Sequence, residues 1–481
     1  MRNALIVIVA FLVVSSPLLK AQDYQTHFPP EEFKARWERV FDTIGNKAIA
    51  ILPGASDPGG YIYPRQSNVF YYLCGVENPY SYLLLDAKNR KVTLFLGRGI
   101  GSGDRVLAVN KPEIVKGLTG VDEVLGTDKG ELTAQLSSML RGRGESAISQ
   151  IYTLFSPAEY EGQTRGDLQS RDGRIVNDPW DGRVSREAGF ISLLIARYPR
   201  AEIRDLTPII DEMRSIKSPR EIELLRRAGQ LSALGVYEAM RSTRLGLYEY
   251  QLEAVARYIF AVNGARLEGY RAILPAGVQN TADMHYFSNS SLLKDGDLVL
   301  MDYAPEYQYY TSDIGRMWPV NGKFNDWQRQ ICQFILDYEK AIIQRIRPGL
   351  LARDIRADAA KAMEEVFGKT KFLKPEYEKA ARNLVQTGGG VFSHTVGMAV
   401  HDDAAYASAP LKPGQVFAID PQLRVPEENL YMRVEDTVVV TEDGVEVLTR
   451  FAPKELDEIE KLIREGGGMV QKFPPTPPAK K

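Results

Sequence analysis

The residues best equipped to do chemistry together are four carboxylates and one imidazole in the last third of the chain. Asp302 and Asp313 stand eleven positions apart in GDLVLMDYAPEYQYYTSDIGR. His394 follows in FSHTVGMAVHDD, Asp420 in VFAIDP and Glu435 in MRVED. A single nitrogen among carboxylate oxygens is a hard ligand set. It suits two Mn²⁺-class ions sharing bridging carboxylates better than a tetrahedral thiolate zinc site. Each candidate ligand lies on or beside a strand-like run, which offers a rigid platform. The chemistry expected is hydrolysis by metal-activated water.

The elements that must position these groups can be read around them. Strand alternation puts Asp302 on the face of Leu298 and Leu300. Asp313 arrives on a returning strand after a turn through Pro305 and Glu306, so both carboxylates of the hairpin can face one point. A single Asp at a strand end is usually a turn cap; two in series with later ligands favour a site. Asp420 and Glu435 are expected on an antiparallel pair. Arg433 lies two residues before Glu435 and shares its face. It could offset repulsion among the carboxylates, or hold a substrate carbonyl or an anionic intermediate. His401 follows His394 by seven positions, and His285 lies upstream in DMHYFSN. A lone His is more often structural, yet three of the four histidines fall near the acidic strands. His27, near the start, is assigned nothing.

The 481 residues predict two or three domains. A hydrophobic content of 44% with 25% charged residues is that of a globular protein. Sixty basic and 62 acidic residues give a net charge of −2, and no long block of one sign. There is thus no electrostatic case for nucleic acid or an anionic membrane as partner. Arg2, the apolar run Ala4 to Val14, the break at Ser15-Ser16-Pro17 and small Ala21 predict a secretory signal peptide over 1–21. That segment is short for a membrane span, an uncleaved anchor being the alternative. No Cys follows it to carry a lipid. The mature protein is expected to be soluble and outside the cytoplasm, secreted or periplasmic. Cys74 and Cys332 are expected on a strand and a helix of different domains, as buried free thiols, although an oxidising compartment would permit a bridge.

After a polar leader, Pro29-Pro30-Glu31 opens a predicted helix through Phe33, Trp37, Val40 and Phe41. Strand-like runs follow at Ala48–Leu52, Val69–Leu73, Tyr80–Leu85 and Lys91–Leu96, giving an α/β domain over 22–205. Residues 140–185 read as an irregular surface excursion, with Arg165-Gly166-Asp167 in a solvated loop. Ser218-Pro219-Arg220-Glu221 is a capping box with proline at the first helical position. It opens a long helix burying Ile222, Leu225, Ala228, Leu231 and Ala233. A second helix covers Tyr248–Asn263 and is stopped by Gly264; two more cover Asp326–Arg347 and Arg353–Val366. This second domain, 206–465, reads as α+β. From 466 the chain reads as a flexible tail.

These residues resemble aminopeptidase P, in metallopeptidase family M24, whose catalytic domain has the pita-bread fold. YPRQSNVFYYLCGVENPYSYLLL is similar to the family's non-catalytic domain, and MRSIKSPREIELLRRA to the entry helix of its catalytic domain. The order Asp, Asp, His, acidic, Glu, with a second His seven residues after the first, is the specific part. The resemblance implies an α+β pita-bread domain preceded by a smaller α/β domain. It implies two divalent ions, Mn²⁺ first, with Zn²⁺ or Co²⁺ as alternatives. Asp302 would chelate one ion, Asp313 and Glu435 would bridge both, and His394 and Asp420 would complete the other shell. Asp420 would also serve as proton shuttle. His285 and His401 would hold the scissile carbonyl and the residue after the cut. Tyr270, in EGYRAIL, falls near a substrate-pocket tyrosine with the loop spacing off by one. Arg433 matches an arginine shaping the proline pocket. The partners implied are peptides with proline second, and a homodimer or homotetramer.

Three departures stand out. The family has Glu where this chain has Asp420, within AIDP. Asp is one methylene shorter, roughly 1.5 Å of reach on the scale of a C–C bond. A family His four residues before the metal His is Gly390 here, which is expected to loosen the backbone. Arg424 and its neighbours replace an EPG-x-Y pattern. The alternatives are therefore a prolidase-like Xaa-Pro dipeptidase and a catalytically weakened peptide-binding homologue. A creatinase-like amidinohydrolase fits worse, because that group works without the ligands present here.

Overall fold

Two six-stranded sheets organise the chain. The computed structural model describes residues 27–469 apart from 61, 63–64, 98–111, 127–129, 143, 145–146 and 403–407. The signal segment read at 1–21 and most of the tail read from 466 lie outside the described residues.

The first sheet is built from β1 (Ala48–Pro53), β2 (Tyr82–Asp86), β3 (Lys91–Leu96), β4 (Glu123–Gly126), β5 (Gln150–Thr153) and β6 (Glu202–Asp205). Its order is β4-β3-β2-β1-β5-β6. β1, β2 and β3 pair antiparallel, whereas β4, β5 and β6 join in parallel. Parallel neighbours need crossover connections, which the intervening helices supply. Strand alternation sorts β1 between two cores. Ala48, Ala50 and Leu52 pack with Trp37, Val40 and Phe41 of the helix Pro30–Ile44, and Ile49 and Ile51 pack on the other face.

The remaining strands are β7 (Leu267–Glu268), β8 (Leu298–Asp302), β9 (Pro305–Glu306), β10 (Ile314–Pro319), β11 (Val391–Thr395), β12 (Val416–Ile419), β13 (Gln422–Val425), β14 (Leu430–Arg433), β15 (Glu435–Val440) and β16 (Val445–Val447). The second sheet runs β11-β12-β15-β10-β8 with β16 beside β15, and all its pairs are antiparallel. β7 pairs with β9, and β13 with β14, as separate ribbons. This sheet is covered on both faces. Phe417 and Ile419 enter the core made with the catalytic-side helices, while Val416 and Ala418 join the core shared with the first domain. That is why VFAI reads as an unbroken apolar run rather than an alternating one.

The helix Pro219–Ser242 starts at the capping box: Glu221 N donates to Ser218 Oγ at 3.2 Å, and Ser218 N to Glu221 Oε2 at 2.9 Å. Buried polar contacts join it and its neighbours to the first domain. Arg65 pairs with Glu306 at 2.6 Å, and Asn68 Nδ2 donates to the Met398 carbonyl at 3.0 Å. Arg214 lies 3.6 Å from Glu159 of the first domain and also pairs with Asp402, which Lys217 reaches at 3.3 Å.

Three sequence expectations are corrected. Val69–Leu73 belongs to a helix, Asn68–Cys74, not to a strand, so Cys74 is helical. Every residue of this helix is buried, so its apolar run carries no period to distinguish the two states. The punctuation decided it: Ser67 precedes the helix and Gly75 closes it in the left-handed region. Both cysteines are free thiols. Residues 140–185 hold β5 and a helix over Arg165–Val176 capped by Thr164. Arg165 is buried there, paired with Asp211 at 2.6 Å and Glu159 at 3.0 Å, and not in a solvated loop. Helices Pro375–Thr387 and Leu456–Glu465 were not anticipated. No described helix is long and apolar enough to cross a membrane.

Candidate metal centre

The second sheet lines up its acids in a row. Asp302 at the end of β8 faces Gly315 in β10, and Gly315 faces Glu435 at the start of β15. Ile419 pairs with Asp436, so Asp420 follows on opposite Glu435. Because the residue between Asp302 and Glu435 is glycine, their side chains converge over bare backbone. A Cβ on Gly315 would lie 3.1 Å from Glu435 Cβ and 3.2 Å from its Oε2. Asp313, two residues before Gly315, shares that face. Its main chain is clamped by Thr437, whose Oγ1 accepts from Asp313 N at 2.7 Å and donates to Asp313 O at 2.7 Å.

Asp302, Asp313 and Glu435 are buried, each offering an oxygen within 4.8 Å of the others, and so form a group able to hold a cation. Asp313, His394 and His401 form a second such group sharing one member. Burial and mutual repulsion push the Asp313 and Glu435 carboxyls well above their usual range. Burial pushes Asp420 up to about 6, with Arg433 acting against it. Burial, then the charge of His401, pulls His394 down to about 3, so its ring is neutral near pH 7. His394 Nδ1 lies 3.3 Å from the Thr395 carbonyl and can only donate there. Nε2 then carries the lone pair, and it faces Asp313 Oδ2 at 3.5 Å. A lone pair set against a carboxyl oxygen needs a proton or a metal cation between them. Asp420 Oδ1 and Glu435 Oε2 are buried with no hydrogen-bond partner. The donor set therefore fits divalent cations on chemical and geometric grounds.

Arg433, buried among these acids, ion-pairs with Asp302, approaches Asp420 Oδ2 at 3.2 Å and approaches Glu435 Oε2 at 3.4 Å. One guanidinium thus offsets part of the charge of three carboxylates, and of the two readings of Arg433 the contacts display this one. Tyr270 donates toward Asp302 Oδ1 at 2.6 Å and Asp313 Oδ1 at 2.9 Å, with burial first among the causes keeping its hydroxyl protonated. It therefore touches the ligand carboxylates themselves. His401 is exposed, its ring centroid 4.1 Å from that of His394. His285 is exposed on a loop beside Phe287, and among the described residues no hydrogen bond or ion pair joins its ring to the acids.

Gly390 lies at φ +81°, and a Cβ there would collide with the Asp420 carbonyl. The register of β11 on β12 shifts between Val391 and Thr395, and Phe392 also takes a positive φ of 56°. That irregularity re-aims His394 toward Asp313.

Sequence reasoning missed two supports. Gly315 had a signal, since glycine inside a strand marks a close approach. A charge network behind Glu435 had none. Arg316 donates to the Glu435 carbonyl and to Asp436. Lys454 donates to Asp436 at 2.7 Å and Glu339 at 2.8 Å. Though burial opposes it, Arg316 and Lys454 hold Asp436 well below the carboxylate range, while burial and Asp436 push Glu339 up to about 8.

Comparison with known proteins identifies the family. The model of metallopeptidase family M24 matches residues 223–442, and that of the aminopeptidase P N-terminal domain matches 33–148. The Xaa-Pro aminopeptidase of Escherichia coli K12 is 30% identical over 461 residues, covering 90% of this chain and 97% of that protein. The chain belongs to the aminopeptidase P family. It is an enzyme, a metallo-exopeptidase, with the family's fold. Among solved structures, a putative aminopeptidase P from Bacillus anthracis superposes with TM-score 0.72 at 25% identity, covering 91% of this chain and 99% of that one. Zinc-substituted E. coli aminopeptidase P in complex with product gives TM-score 0.70 at 27% identity, covering 92% and 100%.

Proposed function

We propose that this chain removes the N-terminal residue from peptides whose second residue is proline, using water activated by two divalent cations, Mn²⁺ first. The observation that carries this is the row Asp302–Gly315–Glu435–Asp420 with Asp313 and His394 beside it, in which buried carboxylate oxygens lack partners. Asp302, Asp313 and Glu435 would hold one cation, and Asp313, Glu435, His394 and Asp420 the other. Divalent cations held by these residues would supply a water of lowered pKa and a Lewis acid for the scissile carbonyl.

The chain's own groups do the rest. The Asp420 carboxylate accepts the proton of the attacking water and returns it to the proline nitrogen as the C–N bond breaks. His401, exposed beside His394, would orient the scissile carbonyl. His285, on its exposed loop, holds the residue after the cut once substrate is bound. Tyr270 fixes the facing oxygens of Asp302 and Asp313, and Arg433 keeps the acids from repelling one another when a cation is lost. The domain division at about residue 205 and export through residues 1–21, secreted or periplasmic, are part of the same reading. They are supported by the two separate sheets and by the sequence pattern of the first segment.

The test compares an Xaa-Pro dipeptide with an Xaa-Pro-Xaa tripeptide on the Mn²⁺-loaded protein. Release of the first residue from the tripeptide supports the proposal. Cleavage of the dipeptide alone makes the chain a prolidase-like dipeptidase, and cleavage of neither overturns the Xaa-Pro reading.

A further inference from the structure

Gly390, Asp420 and Gln422 pack as one unit, and all three stand where the sequence departs from the family pattern. The pattern's glycine after Glu-Pro is Gln422 here. Asp420 and Gln422 flank Pro421 at the end of β12, and Gln422 N donates to the Gly389 carbonyl at 2.9 Å. A Cβ on Gly390 would collide with the Asp420 carbonyl oxygen and come within 2.9 Å of Gln422 Cγ. The volume that any side chain at 390 would fill is therefore taken by the main chain of Asp420 and the stem of Gln422. From there Gln422 Nε2 donates to Asp420 Oδ2. Arg433 Nη1 reaches the same oxygen at 3.2 Å. Both donors bind Oδ2, and Oδ1 is left buried without a partner.

The chemistry of this arrangement is specific. A short acid has too little reach to find a ligand position by side-chain adjustment, so its main chain and carboxylate plane must be set from outside. A neutral amide does this without adding a cation that would compete with a metal. We infer that Gln422 is a positioning residue that grips Asp420 by Oδ2 and presents Oδ1 to the metal centre, with Gly390 supplying the space for that grip. The inference rests on the dinuclear reading of the site.

The test is calorimetric titration of Mn²⁺ into the metal-free full chain, with thermal melting of each variant alongside. Gln422→Met fills the same volume and removes only the donor. It is expected to weaken one of two Mn²⁺ sites by about tenfold, the scale of losing a group that orients a ligand, at unchanged melting temperature. Adding Asp420→Glu to Gln422→Met is expected to restore affinity, because the longer acid reaches without the amide. Gly390→Ala, which drives the Asp420 carbonyl away, is expected to show the same loss as Gln422→Met. Two Mn²⁺ bound by Gln422→Met at wild-type affinity overturns the inference and leaves the dinuclear reading standing. A wild-type protein that binds fewer than two Mn²⁺ overturns the dinuclear reading, and the inference with it.

Discussion

Asp420 is the side chain on which the account depends most. It combines a buried oxygen without a hydrogen bond and a carboxyl pushed up to about 6, chiefly by burial. Asp420→Asn keeps the size and removes the charge, and is expected to lower kcat/KM by about 100-fold or more with the fold intact. Steady-state kinetics beside circular dichroism checks this. The titrations also give a sign. A ligand must be deprotonated to bind metal, so protons compete wherever a ligand's pKa lies near the working pH. His394, pulled down to about 3, is already neutral at pH 5 and does not compete. Asp420 at about 6, with Asp313 and Glu435 also raised, does. Mn²⁺ affinity should therefore fall as pH falls through about 6, and binding should release more protons at pH 6 than at pH 8. Calorimetry in buffers of different ionisation enthalpy measures that release. At this scale the ligands and Arg433 were legible because their types and order are specific. The grip of Gln422 on Asp420 was not, because it depends on the φ of Gly390, which no side chain reports.

Among the elements, the sheet places the acids and Gly315 lets them meet. Gly315→Val would put a branched side chain where even a Cβ stands 3.1 Å from Glu435. The expected result is loss of Mn²⁺ affinity of about ten- to 100-fold, as for displaced ligands, with secondary structure preserved. Metal titration with far-UV circular dichroism distinguishes this from unfolding. The capping box at Ser218 and the strands β1, β3 and β8 could be read from sequence because each has a local signature. Asn68–Cys74 could not be read from its pattern, since an element buried on every side shows no period. Pro375–Thr387 did carry a signature, with Pro375 at its start and Gly388 closing it at φ +74°, and buried Tyr377, Ala380, Ala381 and Leu384 at helical spacing.

Across the whole molecule, the two domains are joined by buried charge rather than by apolar contact alone. Arg214 pairs with Asp402 and lies 3.6 Å from Glu159, and all three are buried. Asp402 directly follows His401, so this anchor also fixes the end of the loop carrying a site histidine. Arg214→Ala removes one cation from buried Asp402, still reached by Lys217, and one from buried Glu159, still paired with Arg165. It is expected to destabilise the protein by about 3–5 kcal/mol, measured by denaturant unfolding. None of this was visible in the sequence, because the partners are separated by up to 188 positions.

The most direct measurement follows release of the N-terminal residue from an Xaa-Pro-Xaa peptide by the Mn²⁺-loaded protein. An Xaa-Ala-Xaa peptide and a chelator-treated sample serve as controls. The account predicts cleavage of the proline peptide alone, abolished by chelator and restored by Mn²⁺. Equal cleavage of both peptides, or cleavage that survives removal of metal, would contradict it.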